Sequence, residues 1–285
     1  MTAMLPWLHL DTLWLQVTGT RCNIACRHCF ISCGPKVERH AVMTRAQVEE
    51  ALEAAAQAGC RATYFTGGEP FLHPEILDLV ELALRQGPLG ILSNGMLLDD
   101  ATCRALRKLE EASPYSLDLR ISLDGLTAEE NDPIRGKGVF AAACEGIRRL
   151  AAVGMEPALA VTTVHARSSS AEGRLAFLEL LTSLGVRRPR VKLIPPFLIG
   201  REAKRSTGYR PADLVKPEDL SEESLWVLQC GSSRMVTAGG VYACPILIDH
   251  PEARMGDRLE EALRPTALFH PACLTCHQEG FSCKT

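Results

Sequence analysis

The stretch that decides the fold is CNIACRHCF, residues 22–30, which directly follows a strand-like run. Its three thiols, Cys22, Cys26 and Cys29, are separated by three and then two residues. An iron–sulfur cube has four irons, so an electron-transfer site normally supplies four cysteines. A set of three leaves one iron available to bind something else. The same residues also allow a zinc knuckle, because close cysteine pairs suit tetrahedral zinc.

The composition indicates a globular protein of 285 residues, 46% hydrophobic and 23% charged. A net charge of −3 indicates neither nucleic acid nor an anionic membrane as a partner. No apolar run approaches the roughly 18 residues of a spanning helix, and residues 1–10 lack the pattern of a signal peptide. The sequence therefore predicts a soluble cytoplasmic protein. In that reducing compartment, clustered cysteines more often bind metal than form disulfides.

Strand-like and helical segments alternate through the first 200 residues. Six strand–helix units with short connections predict an α/β fold with a parallel sheet, because parallel neighbours need crossovers of one hand. Six units are too few to close an eight-stranded barrel. The predicted strands are 13–17, 62–65, 90–92, 117–121, 157–164 and 191–194, and the predicted helices are 44–58, 75–86, 99–109, 139–153 and 172–184.

Polar and glycine-rich turns follow the strands at the edge of the sheet where chemistry collects. The cysteine loop follows the first strand, and TGGEP, residues 66–70, follows the second. Adjacent glycines let the backbone approach a ligand closely, although such a turn can also simply join a strand to a helix. SNG at 93–95 and SLDG at 122–125 follow the third and fourth strands, and NDPIRG occupies 131–136.

Together these motifs resemble the signature of the radical S-adenosylmethionine (SAM) enzymes. The resemblance implies a partial (β/α)6 TIM-like barrel and a [4Fe-4S] cluster on Cys22, Cys26 and Cys29. It implies that SAM binds the fourth iron, and that its reduction releases a 5′-deoxyadenosyl radical that abstracts hydrogen from a substrate. The implied SAM-binding residues are Gly67, Gly68 and Glu69 for the methionyl amino group, Ser93 and Asn94 in the pocket wall, Ser122 and Asp124 for the ribose or methionyl carboxylate, and Arg135 for that carboxylate.

Three residues of this region allow more than one interpretation. Arg135 suits a carboxylate because its guanidinium is a planar fork, but it could also be a surface charge on a loop. His28 stands where the family generally has an aromatic residue, as a flat ring or a donor to sulfide. Cys33 could close the coordination sphere in place of SAM, but the cofactor-type turns on the later strands would then have no purpose. The remaining isolated cysteines are expected to be small buried hydrophobic residues: Cys60, Cys103 and Cys144.

Five of the twelve cysteines lie in the last fifth of the chain: Cys230, Cys244, Cys273, Cys276 and Cys283. Two short strands, 235–238 and 241–243, flank Gly239 and Gly240, which predicts a hairpin whose two-residue turn tolerates positive φ at both sites. This hairpin would hold Cys230 and Cys244 near its open end. Residues 201–229 are charged and contain proline, which predicts a linker or bridging helix.

The tail resembles the SPASM and Twitch extensions of radical SAM enzymes. The resemblance implies a barrel at 1–200, the linker at 201–229 and an auxiliary-cluster domain at 230–285. It implies one auxiliary [4Fe-4S] cluster on Cys230, Cys244, Cys273 and Cys276, with Cys283 either replacing one of them or standing free. The alternative is a structural zinc site that uses His270 or His277.

The resemblance implies an enzyme that needs a flavodoxin- or ferredoxin-type electron donor. Its substrate is either a small metabolite or a peptide, the latter as in maturases that crosslink ribosomally made peptides. About a dozen residues precede the first predicted strand, fewer than a leader-binding domain needs, which slightly favours the metabolite. A protein of another class, a non-catalytic metal-binding protein or electron carrier, would not cleave SAM.

Overall fold

The strands of residues 2–279, the part of the chain that the computed structural model describes, form two sheets. Numbered along the chain, they are β1 Met4–Leu5, β2 Thr12–Gln16, β3 Ala62–Thr66, β4 Leu89–Ser93, β5 Leu117–Ser122, β6 Ala158–Thr162, β7 Val191–Ile194, β8 Ser233–Thr237, β9 Gly240–Tyr242, β10 Arg254–Gly256 and β11 Thr266–Ala267. The main sheet has the order β10-β9-β8-β2-β3-β4-β5-β6-β7, and β1 pairs with β11.

The connections between these strands carry the helices. Thr44 caps the first helix, because its hydroxyl accepts from Gln47 N (3.3 Å) and the Gln47 side chain accepts from Thr44 N (2.9 Å). The helices are α1 Arg45–Gln57, α2 Ile76–Gln86, α3 Asp100–Glu111, α4 Ala128–Arg135, α5 Val139–Ala152, α6 Ala171–Ser183, α7 Glu202–Arg205, α8 Glu222–Val227, α9 Leu259–Ala262 and α10 Ala272–Gln278.

Strands β2 to β7 pair in parallel, each with its neighbour along the chain. This arrangement confirms the predicted α/β partial barrel, with strand and helix ends moved by one to a few residues. Side chains alternate between the two faces of each strand. In β2, Leu13 and Leu15 belong to the main core with α1 and α2, whereas Trp14 belongs to a second buried cluster with Cys22. The sheet therefore has a helix-covered face and an inner face that adjoins the cysteine loop.

Helix α4 was not predicted, because Pro133 lies inside it and its sequence is polar. Tertiary contacts stabilise it: Asn131 Oδ1 accepts from Asp124 N (3.0 Å), and Arg135 Nη2 donates to Asp124 Oδ1 (3.0 Å). Thr127 caps its first turn, since the hydroxyl accepts from Glu130 N (3.4 Å). The segment that carries Arg135 is thus a helix and not a loop.

The tail joins the main sheet and does not stand apart from it. Strand β8 pairs in parallel with β2, and β9 and β10 follow in antiparallel order. The predicted hairpin is present, and Gly240 in its turn has a positive φ of 122°. The Thr237 side chain also holds the turn, because its hydroxyl accepts from Gly239 N (3.1 Å) and donates to Gly240 O (3.1 Å).

The predicted linker region contains the short helices α7 and α8. Across residues 2–279, no helix has both the length and the apolar character that crossing a membrane requires.

Candidate active site

The three cysteines of the loop after β2 lie where burial disfavours their ionisation. Burial raises the pKa of Cys22 to about 12 and also raises the pKa of Cys26. At Cys29 the hydrogen bond from the Cys33 thiol has the opposite effect and lowers the pKa to about 6. Binding a metal deprotonates a coordinating thiol, and soft thiolates suit iron–sulfur clusters. The donor set therefore fits a cluster held by Cys22, Cys26 and Cys29.

One arginine from the predicted linker region fixes the shape of this loop. Arg201 Nε donates to Cys26 O (2.7 Å) and Nη2 donates to Cys33 O (2.5 Å). Its backbone N–H donates to Cys29 O (3.0 Å). Charge-assisted hydrogen bonds of this kind hold a loop that has no regular secondary structure. Nothing in the sequence pattern pointed to Arg201.

A cavity of about 200 Å³ opens beside the cysteines at the carboxyl ends of the parallel strands. Its wall brings together the thiols and six of the eight predicted SAM-binding residues: Gly67, Gly68, Ser93, Asn94, Ser122 and Arg135. The other two, Glu69 and Asp124, are buried behind this wall. The strands thus converge on one cavity that combines sulfur, hydroxyl, amide and guanidinium groups, and this combination fits a cluster with a zwitterionic nucleotide.

The glycine turn after β3 packs directly on the cysteine loop. A Cβ at Gly68 would lie 2.0 Å from Arg21 O and 2.8 Å from Cys22 Cβ, so any larger residue would push the two segments apart. The next residue holds the contact, because Glu69 N donates to Arg21 O (3.0 Å). The glycines therefore allow the approach of turn and loop, in addition to any contact with a ligand.

The Glu69 carboxylate is 0% exposed and organises the neighbouring turn. It accepts from Ser93 Oγ (2.8 Å), Asn94 N (2.7 Å) and Phe71 N (3.2 Å). Burial raises its pKa to about 7, and these three hydrogen bonds oppose that rise. The oxygens of Glu69 are thus engaged with the turn after β4, whose Ser93 and Asn94 line the cavity.

Asp124 is the centre of a buried charge network. Its Oδ2 lies 2.7 Å from Arg135 Nε and 2.7 Å from His28 Nε2, and its Oδ1 accepts from Thr162 N (2.9 Å). Burial would raise the pKa of Asp124, but the charge of Arg135 and the contact with His28 keep it well below its ordinary value. His28 therefore contacts a carboxylate, an arrangement that neither sequence interpretation of this residue included.

Arg135 is buried, so the interpretation as a surface charge is wrong. Two of its five N–H groups face Asp124. The guanidinium also lines the cavity, where its other N–H groups suit a carboxylate. The fit to the predicted SAM carboxylate is therefore retained.

The other cysteines of the barrel divide into two kinds. Cys103 and Cys144 lie in the main core, as predicted, and Cys60 packs against it half-buried. Cys33 lines the cavity with the loop cysteines, and its thiol is 3.9 Å from Gly67 O.

The tail cysteines also come together. Burial raises the pKa of Cys230, and the charges of Cys244 and Cys273 add to that rise. Burial likewise raises the pKa of Cys273 to about 12. Cys276 belongs to the same apolar clusters, whereas Cys283 lies outside the described residues.

The spacing of these groups bears on the zinc alternatives. Within residues 2–279, no three His, Cys, Asp or Glu side chains stand close enough together to bind one metal ion. His277 Nε2 lies 3.0 Å from Asp219 O and 3.3 Å from Ser224 Oγ. The ring of His277, one of the two histidines of the zinc alternative, is thus engaged with protein oxygens.

Arg234 anchors the first tail cysteine and was missed from the sequence. It is 0% exposed, and burial lowers its pKa to about 10. Its guanidinium donates to Ala262 O (2.7 Å), Cys230 O (2.7 Å) and Arg264 O (2.6 Å). It therefore joins β8 to the segment after α9 and fixes the backbone of Cys230.

The family of the chain follows from its similarity to known families. The model of the radical SAM superfamily matches residues 17–181. The chain belongs to the radical SAM superfamily. Enzymes of this superfamily use a [4Fe-4S] cluster and SAM, in agreement with the donor set of the cavity.

Relatives support the assignment over most of the chain. The mycofactocin maturase MftC of Mycobacterium tuberculosis is 28% identical over 256 residues, which covers 80% of this chain and 63% of the maturase. The GTP 3′,8-cyclase of Moorella thermoacetica is 28% identical over 211 residues, which covers 73% of this chain and 62% of the cyclase. Streptococcus suis SuiB bound to the precursor peptide SuiA shares the fold, with a TM-score of 0.68 at 15% identity over 90% of this chain and 64% of SuiB. The chain thus spans less than two thirds of the length of these relatives.

We expect Glu69→Gln to remove a pH dependence of stability. The folded-state pKa of Glu69 is raised from 4.5 to about 7, so its contribution to folding is fully present below pH 4.5 and is lost as pH rises to about 7. Urea unfolding of the metal-free protein at pH 5 and pH 7.5 should show this loss in the wild type, about 2 kcal/mol. The variant should lack it, whereas Glu179→Gln on the exposed face of α6 should retain it. An equal pH dependence in all three proteins would contradict the assignment.

We expect Arg234→Met to destabilise the protein by roughly 3 kcal/mol, because buried carbonyl groups lose their donors. Urea unfolding measures the change. Arg258→Met removes a side chain that is 66% exposed and should have little effect. Equal stabilities of the two variants would show that Arg234 does not anchor the tail.

Proposed function

We propose that this chain cleaves SAM reductively and abstracts a hydrogen atom from a substrate. The observation that carries this proposal is the cavity of about 200 Å³ in which Cys22, Cys26 and Cys29 meet the turns after β3 and β4. When bound, the cluster and SAM would supply the chemistry: an electron from a donor would break the C5′–S bond to give methionine and a 5′-deoxyadenosyl radical, which would take a substrate hydrogen to become 5′-deoxyadenosine.

The residues of the chain bind and orient these groups. The three cysteines would hold the cluster, and Gly67 and Gly68 would let SAM approach the loop closely. The remaining predicted contacts divide between residues that line the cavity and residues that position them. Ser93, Asn94, Ser122 and Arg135 would contact SAM, whereas Glu69 and Asp124 fix the turns and the guanidinium from behind.

We further propose that Cys230, Cys244, Cys273 and Cys276 hold one auxiliary [4Fe-4S] cluster. Cys273 and Cys276 pack in one apolar cluster with Cys244 and in another with Cys230, and this proximity supports the proposal. The proposal includes a division into a barrel at 1–200, a linker at 201–229 and an auxiliary-cluster domain at 230–285. Strand β8 of the last part pairs with β2 of the barrel. A flavodoxin- or ferredoxin-type protein would supply the electron.

A peptide is the substrate class that we favour. MftC is named as a maturase, and the SuiB structure contains a precursor peptide. Both comparisons cover at least 80% of this chain. A small molecule is the second candidate, because GTP 3′,8-cyclase is also similar over 73% of this chain.

Cys26→Ser tests the cluster. Anaerobically reconstituted wild-type protein should contain about eight irons, four for each cluster, and release 5′-deoxyadenosine only with dithionite. The variant should lose about four irons and nearly all SAM cleavage, because the cluster loses one of three ligands. Cys60→Ser, a change at a half-buried thiol outside the cavity, should keep both.

Bound zinc without SAM cleavage in the wild type would overturn the proposed function. Cys33→Ser gives a second control, since the cluster and cleavage should persist when this thiol is removed. A wild type that holds the cluster without cleaving SAM, together with a Cys33→Ser variant that gains cleavage, would identify Cys33 as the fourth ligand.

A further inference from the structure

A second cavity, of about 90 Å³, lies against the cofactor cavity on the inner face of the sheet. The two cavities share Thr66, Leu92 and Ala160 among their lining residues. A molecule in the second cavity would therefore lie next to bound SAM, where the proposed function requires the substrate.

An aromatic layer supports one wall of this cavity. The rings of Trp14 and Tyr64 stack with centroids 4.6 Å apart and planes at 21°. The layer depends on Gly90 of the next strand, because a Cβ there would lie 2.3 Å from Tyr64 Cε1. Trp14 lines the cavity and offers a flat apolar surface to a ligand.

Two cationic residues line the same cavity: Arg120 of β5 and Lys192 of β7. Arg120 is 5% exposed; its Nη2 donates to Tyr64 Oη (2.9 Å), and its Nε donates to Asp118 Oδ2 (2.9 Å). Asp118 also accepts from Arg190 Nη2 (2.7 Å). One carboxylate is thus shared by the buried guanidinium of Arg120 and the half-exposed guanidinium of Arg190.

Acidic residues are absent from the described lining of both cavities. A buried guanidinium such as that of Arg120 is stabilised by each acceptor that its N–H groups find. Arg120 has five N–H groups, two of which bond to Asp118 and Tyr64. An anion that enters the cavity would therefore gain charge-assisted hydrogen bonds.

We propose that the substrate binds with a carboxylate at Arg120 and Lys192 and with an aromatic or other flat apolar group on Trp14. This inference rests on the proposed function, because it names the substrate of the same site. The carboxylate can come from a free small acid or from a peptide, and the shared chemistry is an apolar group that carries a carboxylate.

The test is calorimetric titration of the reconstituted, SAM-bound enzyme with four probes. They are 3-phenylpropanoate, its neutral amide, the tripeptide Gly-Gly-Phe with a free carboxyl terminus, and the same tripeptide amidated. At least one acid should bind about tenfold or more tightly than its amide, the factor expected for hydrogen bonds between charged groups. Preference for the small acid indicates a metabolite, and preference for the free tripeptide indicates a peptide.

Arg120→Gln and Lys192→Met should each reduce the preference for the acid to less than about threefold, because each removes one cation. Arg61→Gln, a change at a side chain that is 78% exposed, should keep it. Lys192→Met also keeps the test valid if Arg120→Gln does not fold, since Lys192 lies on another strand.

Equal binding of acids and amides, no binding of either acid at about 10 mM, or an unchanged preference in the variants that fold would each overturn the inference. The dithionite-dependent release of 5′-deoxyadenosine by the wild type separates the two proposals. If SAM is cleaved and acids are not preferred, only the substrate assignment fails, whereas absence of cleavage rejects the proposed function itself.

Discussion

The active site depends on one buried carboxylate, that of Asp124. It connects His28 of the cysteine loop, Arg135 at the end of α4 and the backbone of Thr162 in β6. Burying a carboxylate is costly, and only close partners offset the cost. Here a guanidinium, an imidazole ring and a backbone N–H offset the cost. Their contacts with the carboxylate hold three separate segments together. The position of the third cysteine of the loop, Cys29, follows from that of its neighbour His28.

A second constraint is the continuity of the sheet. Strand β8 lies beside β2, so the strand that leads into the first cysteine loop also borders the tail. Arg234 then binds the backbone at Cys230 from within β8. The two cysteine groups are therefore fixed relative to each other by backbone pairing and not by a flexible linker. Groups bound at the two places would keep a constant separation.

Around the cavities, the acidic side chains are buried behind the lining residues, whereas the cationic side chains are part of the lining. Glu69 and Asp124 use their oxygens for protein N–H and O–H groups and for the neighbouring cation. Arg135 and Arg120 line the cavities in which ligands would bind. Such a surface favours ligands with carboxylates, because a guanidinium fork binds them through two hydrogen bonds. The buried acids thus position the lining residues, although ligands need not contact the acids themselves.

The sequence by itself determined the local features. The spacing of Cys22, Cys26 and Cys29, the alternation of strands with helices and the glycine turn at Gly67 depend on neighbours in the chain, so they can be read directly. These features sufficed to predict the fold class and nine of the residues that line the cavity beside the cysteines.

Only the tertiary structure decided the partners of His28, the burial of Arg135, the pairing of β8 with β2 and the function of Arg201. The pairing of β8 with β2 and the contacts of Arg201 join residues that are distant in the chain, and Arg201 and Cys26 alone are 175 positions apart. The sequence pattern around a charged side chain in a polar segment is the same whether that side chain lies in solvent or donates to a buried carbonyl group. Burial and long-range hydrogen bonds distinguish these states, and both exist only once the chain has folded.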